Sequence, residues 1–363
     1  MKKILINLII FAMIVPFIIL VIGCNGDDRE HNTVDEGDAT MYVIRDEDDV
    51  RIVTRYNENI DLITHLRKMG GNDVFNISSP MVVPRGENLS DVDLTRATFL
   101  NGQGLGESDW FGPYIVLALE NIDGTSPGSM HFTGGNHEYT NSGHGGTPTA
   151  RTDNIVMRIN GQRITENFSG YADNIEITWS NYIQATNTKK ADGTGREVMR
   201  EDYTITINLA PLGEHFHFDP KTISLEVENS IEFFEDVRIV TYYGLQAVHN
   251  AWNEEVAFSE WAVNYGTPMP VNSLQTGTTD PNADTVALRR GGHSLVMFLD
   301  TTYGLGQRQY LNDTPRGEFT NYTIFTATWN KTYFNLINHQ EFSAGTIDGW
   351  RGTIAFYDDG FAG

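Results

Sequence analysis

The chain has 363 residues, of which 48 are Asp or Glu and 25 are Lys or Arg, giving a formal charge of −23. An excess of that sign excludes nucleic acid as a partner, because phosphate binding needs a basic footprint. It also disfavours polyanions wherever no basic cleft overrides the global field. With one cysteine the chain cannot close an internal disulfide.

At the N-terminus Lys2 and Lys3 precede an apolar run from Ile4 to Ile22, interrupted by Asn7 and Pro16. This is the pattern of a secretory signal, although the run is long enough to span a bilayer. Pro16 in mid-run and the ending Val21-Ile22-Gly23-Cys24 favour the signal. That tetrapeptide resembles the lipobox of bacterial lipoproteins, where a small residue precedes a cysteine that is acylated and becomes the new N-terminus. The resemblance implies a signal peptide over 1–23, lipidation at Cys24, and export to the cell envelope with the membrane as a partner through the lipid. Acyl chains anchor through about 0.8 kcal/mol per buried methylene. Residues 24–40 are acidic and too poor in large apolar side chains to order themselves, which reads as a tether. Within them Asp27-Asp28-Arg29-Glu30 resembles the acidic export signal of surface lipoproteins of the Bacteroidota, which implies placement on the cell surface. Removing 1–23 takes two lysines and no acid, so the mature charge is −25.

From Thr40 onward most of the chain alternates apolar and polar. The first element is a strand over Val50–Tyr56. A helix is expected over Asn59–Met69, where Ile60, Ile63, Leu66 and Met69 recur at helical spacing and Gly70-Gly71 would stop it. Further strands read over Tyr114–Leu119, Asn154–Ile159, Ile175–Trp179, Tyr203–Asn208, Ile223–Val227 and Val237–Tyr243. The last are Ser294–Leu299, Tyr322–Trp329 and Thr353–Tyr357. All are rich in Ile, Val, Thr, Tyr and Phe at period two. Asn160-Gly161 is a hairpin signal because both residues tolerate positive φ, and Ala191 to Gly195 marks another turn. No fixed repeat is present. The expected fold is all-β: an antiparallel β-sandwich, jelly-roll or larger supersandwich, with one short helix. It is expected to form a single domain over 41–363, with a weak seam near Pro268 to Asp284.

Chemistry concentrates first in residues 130–152. Asn136, His137 and Tyr139 fall within four residues, and Arg151 follows a glycine-rich excursion containing His144. Asn or Arg would neutralise a uronate carboxylate, while His or Tyr would move the proton beside it. Polysaccharide lyases of several folds use such sets, although the same side chains serve equally to hydrogen-bond a structural loop. His215 and His217, at alternate positions with Phe216 and Phe218 on the opposite face of a strand, could chelate zinc if a third ligand came from His249, His293 or Asp219. The alternative is a polar edge over an aromatic face. Asp280-Pro281-Asn282-Ala283-Asp284 spaces oxygens like half a calcium loop, but Thr285 stands where glycine should and no closing glutamate follows. The cofactor is therefore left unknown, with calcium and zinc as the divalent metals to consider. Tyr243, Gln246 and Trp252 offer rings and an amide for a sugar, and Arg196 lies in the densest cation cluster, with Lys189, Lys190, Arg200, Arg289 and Arg290. Most tryptophans are nevertheless expected in the core.

Two functional readings follow, with a polysaccharide or other glycan as partner in both. One is a surface lipoprotein that cleaves uronate-containing glycans by β-elimination. The other is a non-catalytic glycan-binding or adhesive lipoprotein. A purely structural envelope role is the third alternative, and it predicts that His137, Tyr139 and Arg151 point apart.

Overall fold

The computed structural model describes residues 40–100, 110–120, 131–139, 146–188, 195–209, 223–248, 252–259, 267–275, 277–278, 283–301, 303, 320–325 and 330–358. The leader, Cys24, the tether up to residue 39, His144, His215, His217, Lys189, Lys190 and Asp280 to Asn282 lie outside them.

The chain begins with β1 (Met41–Asp46), β2 (Asp49–Arg55), β3 (Ile60–Met69), β4 (Val74–Ile77), β5 (Met81–Pro84) and β6 (Thr98–Phe99). Next come β7 (Tyr114–Ala118), β8 (Ala150–Ile159), β9 (Gln162–Ile164), β10 (Phe168–Ala172) and β11 (Ile175–Gln184). Long strands β12 (Glu197–Leu209), β13 (Ile223–Phe233) and β14 (Val237–Val248) lead to β15 (Glu255–Ser259) and β16 (Met269–Pro270). The rest are β17 (Gly277–Thr278), β18 (Thr285–Arg290), β19 (His293–Leu299), β20 (Thr320–Phe325), β21 (Asn330–Phe342) and β22 (Ile347–Asp358).

These strands pair antiparallel into three sheets. A ten-stranded sheet has the order β16-β15-β18-β19-β22-β13-β12-β11-β8-β9, and a five-stranded sheet the order β17-β20-β21-β14-β7. The seven-stranded sheet runs β10-β1-β2-β3-β5-β6, with β4 also on β3. One apolar core joins all three. Phe75 of β4 meets Trp179 of β11 edge-on at 5.1 Å, and Phe233 of β13 stacks on Phe342 of β21 at 4.5 Å. The result is an all-β antiparallel sandwich, as the alternation predicts.

The pattern is cleanest in β11, where Ile175, Ile177, Trp179, Asn181 and Ile183 are buried and their neighbours are not. Its register with β12 sets Ile177 beside Ile205 and Trp179 beside Tyr203, so both strands turn the same apolar rows inward. Asn160 and Gly161, at φ +49° and +81°, make the expected hairpin turn between β8 and β9. Near the expected seam, Val271 and Leu274 belong to the common core.

The helix expected over Asn59–Met69 is instead strand β3. Among the described residues the helical turns are three-residue 3-10 segments at Leu89–Asp91, Leu94–Arg96, Thr186–Thr188 and Val271–Ser273. The physical reason is that β3 is buried on both faces. Leu62 and Leu66 enter the main core, while Ile63 joins Val53, Val83 and Leu89 in a second cluster under the segment that follows β5. With apolar side chains on both faces, and Asp61, Thr64 and His65 buried among them, β3 carries no period-two signature and a three-residue spacing shows through. Gly70-Gly71 is therefore a β3–β4 turn rather than a helix stop, with Gly70 at φ +75°.

Candidate functional site

The segment 131–139 is held on three sides. Thr133 exchanges backbone hydrogen bonds with Tyr114 at the start of β7, at 2.9 and 2.7 Å, and Tyr139 does the same with Thr147 at 2.8 and 2.9 Å. Asn72, buried in the β3–β4 turn, donates from Nδ2 to the carbonyls of Gly135 (2.9 Å) and His137 (3.0 Å). Its Oδ1 accepts the Thr149 N–H at 2.7 Å. The Gly71 N–H donates to Asn136 Oδ1 at 2.8 Å. The glycine pair is required by this docking. A Cβ on Gly70 would fall 1.8 Å from Asn136 Oδ1, and one on Gly71 2.7 Å from Glu138 Oε2. Asn136 thus serves as a structural acceptor between loop and turn.

The loop presents partly exposed rings. His137 lies 5.3 Å from Phe132, which lies 6.0 Å from Tyr243, and Tyr243 stacks on Tyr333 at 4.2 Å. His131 and Tyr139 meet edge-on at 5.6 Å. His131, Phe132, His137 and Tyr139 are all partly exposed, whereas Tyr243 and Tyr333 are nearly covered.

Arg151 sits on β8, with its side chain half in solvent. Its guanidinium forks onto Glu197 at 2.7 and 3.1 Å, reaches Asp153 at 3.4 Å, and lies 4.0 Å over the Tyr182 ring. The hydrogen bonds to Glu197 raise its already high pKa. The four residues expected to act on a uronate therefore each have a different described anchor: the Gly71 amide for Asn136, Phe132 for His137, His131 for Tyr139 and Glu197 for Arg151.

The residues read as sugar contacts separate in the same way. Tyr243 is part of the ring ladder. Arg196 forks onto Glu235 and reaches the Glu120 carbonyl at 2.7 Å. Gln246 and Trp252 are fully buried and leave no surface for a ligand. The Gln246 amide donates to the Gly112 carbonyl at 2.7 Å, and Trp252 stacks on Phe356 at 6.2 Å. Trp110, Trp179 and Trp350 are buried too, in line with the expected core role. The expected metal pair, His215 and His217, falls outside the described residues. Among the described residues no group of three or more His, Cys, Asp or Glu is placed to hold a metal. Of the third ligands considered, His293 has its Nδ1 at 3.2 Å from the Tyr56 hydroxyl.

Comparison with protein-family models and with curated proteins gives no match.

A buried polar cluster lies where the ten-stranded and five-stranded sheets meet. Glu201 of β12 is fully enclosed and accepts hydrogen bonds from the hydroxyls of Tyr114 (2.7 Å) and Tyr242 (2.5 Å). Tyr114 also contacts the Tyr203 hydroxyl at 3.1 Å, and Trp350 Nε1 donates to the Tyr242 hydroxyl at 3.0 Å. The Tyr242 hydroxyl faces Asn229 Oδ1 as well, at 3.1 Å. Burial pushes the Glu201 carboxyl up from 4.5 to about 7, against the tyrosine hydrogen bonds that favour its ionised form. Burial, and then the charge on Glu201, raise the three tyrosines well above 10. Sequence reasoning missed this cluster, though a signal was present. In Met199, Glu201, Tyr203, Ile205 and Ile207 the glutamate occupies an inward position of an otherwise apolar row.

Proposed function

We propose that the chain is an exported lipoprotein, anchored through Cys24, whose β-sandwich binds a glycan without cleaving it, and that the loop 131–139 is the contact surface. The observation that carries this reading is the clamped loop with its row of partly exposed rings. Sugar rings carry apolar axial C–H faces that sit favourably on the electron-rich faces of aromatic side chains. The benefit is greatest where the rings are already fixed, because binding then loses little conformational entropy. Asn72 and the Gly70-Gly71 turn supply that rigidity. The lipobox supports the anchor and a place at the cell envelope.

Eliminative cleavage has weaker support. It needs a base, an acid and a neutralising group around one carboxylate. Asn136 and Arg151 are instead engaged with the Gly71 amide and with Glu197.

The test is affinity electrophoresis of the full chain in detergent, through gels containing alginate, polygalacturonate, xylan or galactomannan. Ultraviolet absorbance of unsaturated uronates is followed in parallel with calcium added. Retardation in at least one gel with no rise in absorbance is expected. No retardation in any gel refutes the binding reading, and a rise in absorbance abolished by His137→Ala replaces it with the lyase.

A further inference from the structure

The base of the loop 131–139 is seated on the buried cluster around Glu201. Thr133, Gly134 and Gly135 are themselves buried, and Thr133 holds Tyr114 through its paired backbone hydrogen bonds. A Cβ on Gly134 would fall 2.5 Å from Tyr114 Cε2 and 3.3 Å from Ile183 Cδ1, so the loop backbone lies against the Tyr114 ring. That ring stacks on Tyr242 at 4.5 Å, and its hydroxyl reaches Glu201 at 2.7 Å. One side chain thus connects the enclosed carboxyl to the loop. It also stands on the least supported strand of the enclosure. β7 has five residues and ends the five-stranded sheet, whereas Tyr242 on β14 and Tyr203 on β12 lie between two neighbours in their sheets. Short edge elements open more readily than central strands.

The titratable groups facing Glu201 are the hydroxyls of Tyr114 from β7, Tyr242 from β14 and Tyr203 from β12 itself. Asp202, next along β12, adds repulsion from the outer face. Register places Asn181 of β11 and Ile231 of β13 beside Glu201, with the buried Asp348 of β22 beyond Ile231. Asn229 of β13 and Trp350 of β22 meet the Tyr242 hydroxyl. The carboxyl is bonded by hydroxyls, and among the described residues no cation pairs with it. Loosening the loop base admits water, and hydration favours the carboxylate over the neutral acid. Asn229 Nδ2, fully buried without a partner among the described residues, gains a hydrogen bond from the same water. The protonated acid therefore favours the closed seat and the carboxylate the open one. Seating is firmest near pH 4.5 and below, and weakens as the pH rises to about 7.

We infer that Glu201, acting through Tyr114, is a positioning residue for the loop 131–139, and that its ionisation loosens the seat of the loop and weakens the glycan contact. The second half of this rests on the glycan-binding reading above and adds a regulation to that surface. Complete hydration of the carboxyl sets the ceiling of the effect, about 300-fold in the opening equilibrium for a move from 4.5 to about 7.

The experiment is hydrogen exchange by mass spectrometry on the full chain in detergent, at about pH 5 and about pH 8, corrected for intrinsic exchange rates. Wild type is compared with Glu201→Gln, which keeps an oxygen for the hydroxyls and cannot ionise, and far-ultraviolet circular dichroism checks that the variant is folded. In wild type the protection of peptides covering 131–139 should fall at least about tenfold at the higher pH, while β11 and β12 keep theirs. In Glu201→Gln the loop should be protected equally at both. Equal loop protection in wild type overturns the inference. A fall shared by β11 and β12 is global loosening and overturns it too, as does a fall that persists in the folded variant. If the variant does not fold, the wild-type comparison of loop with β11 and β12 still decides. Calorimetric titration of the best-retained glycan at both pH values reads the consequence: affinity should fall about tenfold in wild type and hold in Glu201→Gln. Equal affinity at both in wild type overturns the regulation. No binding at either pH refutes the glycan reading, while the exchange data decide the role of Glu201 by themselves.

Discussion

Glu201 ties the stability of the fold to pH. In the unfolded chain its carboxyl ionises near 4.5, and in the folded chain burial moves that to about 7. Below the lower value both states hold the proton and the contribution is constant. As the pH rises between the two, the unfolded chain releases the proton while the folded chain keeps it, so stability falls. Above the upper value both are ionised and the loss is complete. Each tenfold difference in proton affinity is worth about 1.4 kcal/mol, so the total is about 3 kcal/mol. Glu201→Gln keeps an oxygen for the tyrosine hydroxyls and removes the titration. The assay is urea unfolding by tryptophan fluorescence at several pH values, with the stability of the variant minus that of wild type as the readout, so that every other titrating group cancels. The difference should move in favour of glutamine by about 3 kcal/mol between about pH 4.5 and about pH 8. A difference that is flat across that window refutes the assignment of a raised pKa to the enclosed carboxyl.

Tyr242→Phe deletes the hydroxyl that serves Glu201, Trp350 and Asn229 together. It should cost about 2–3 kcal/mol near pH 8 and push the Glu201 transition to higher pH, read in the same titration. Gly70→Ala combines positive φ with a clash into Asn136 and should cost more than about 2 kcal/mol. Gly161→Ala, at φ +81° with open space around its Cβ, should cost about 1 kcal/mol. Thermal melts of the two compare backbone strain alone with strain plus loop displacement. Cys24→Ala should abolish incorporation of labelled palmitate in cells, and continued labelling would refute lipidation there.

Much of the scaffold is legible in residue order because a half-buried strand writes its environment into alternate positions. Ile175, Ile177 and Trp179 announce an inward face, and Asn160-Gly161 announces its turn. β3 escapes this logic because Ile63 and Leu66 point into different apolar clusters, and covering both faces removes the contrast on which the pattern depends. The site is harder to read for a different reason. The partner that decides the role of Arg151 is Glu197, 46 residues away, and Asn136 meets Gly71 across 65. Such meetings follow from sheet packing, which local spacing does not encode. Gln246 and Trp252 look like sugar-binding side chains by composition, yet full burial makes them core. Glu201 shows the converse: a charge in an inward register position is visible in the sequence, but the three hydroxyls that enclose it come from two sheets.

The central claim is that the clamped loop grips sugar through its rings. It is tested most directly by calorimetric titration of the best-retained glycan into the full chain, its Phe132→Ala variant and its His137→Ala variant. The account predicts saturable binding to wild type with no change in glycan chain length, weakened about tenfold in each variant while the melting temperature holds. Equal affinity in all three, or shortened glycan recovered from the wild-type cell, would contradict it.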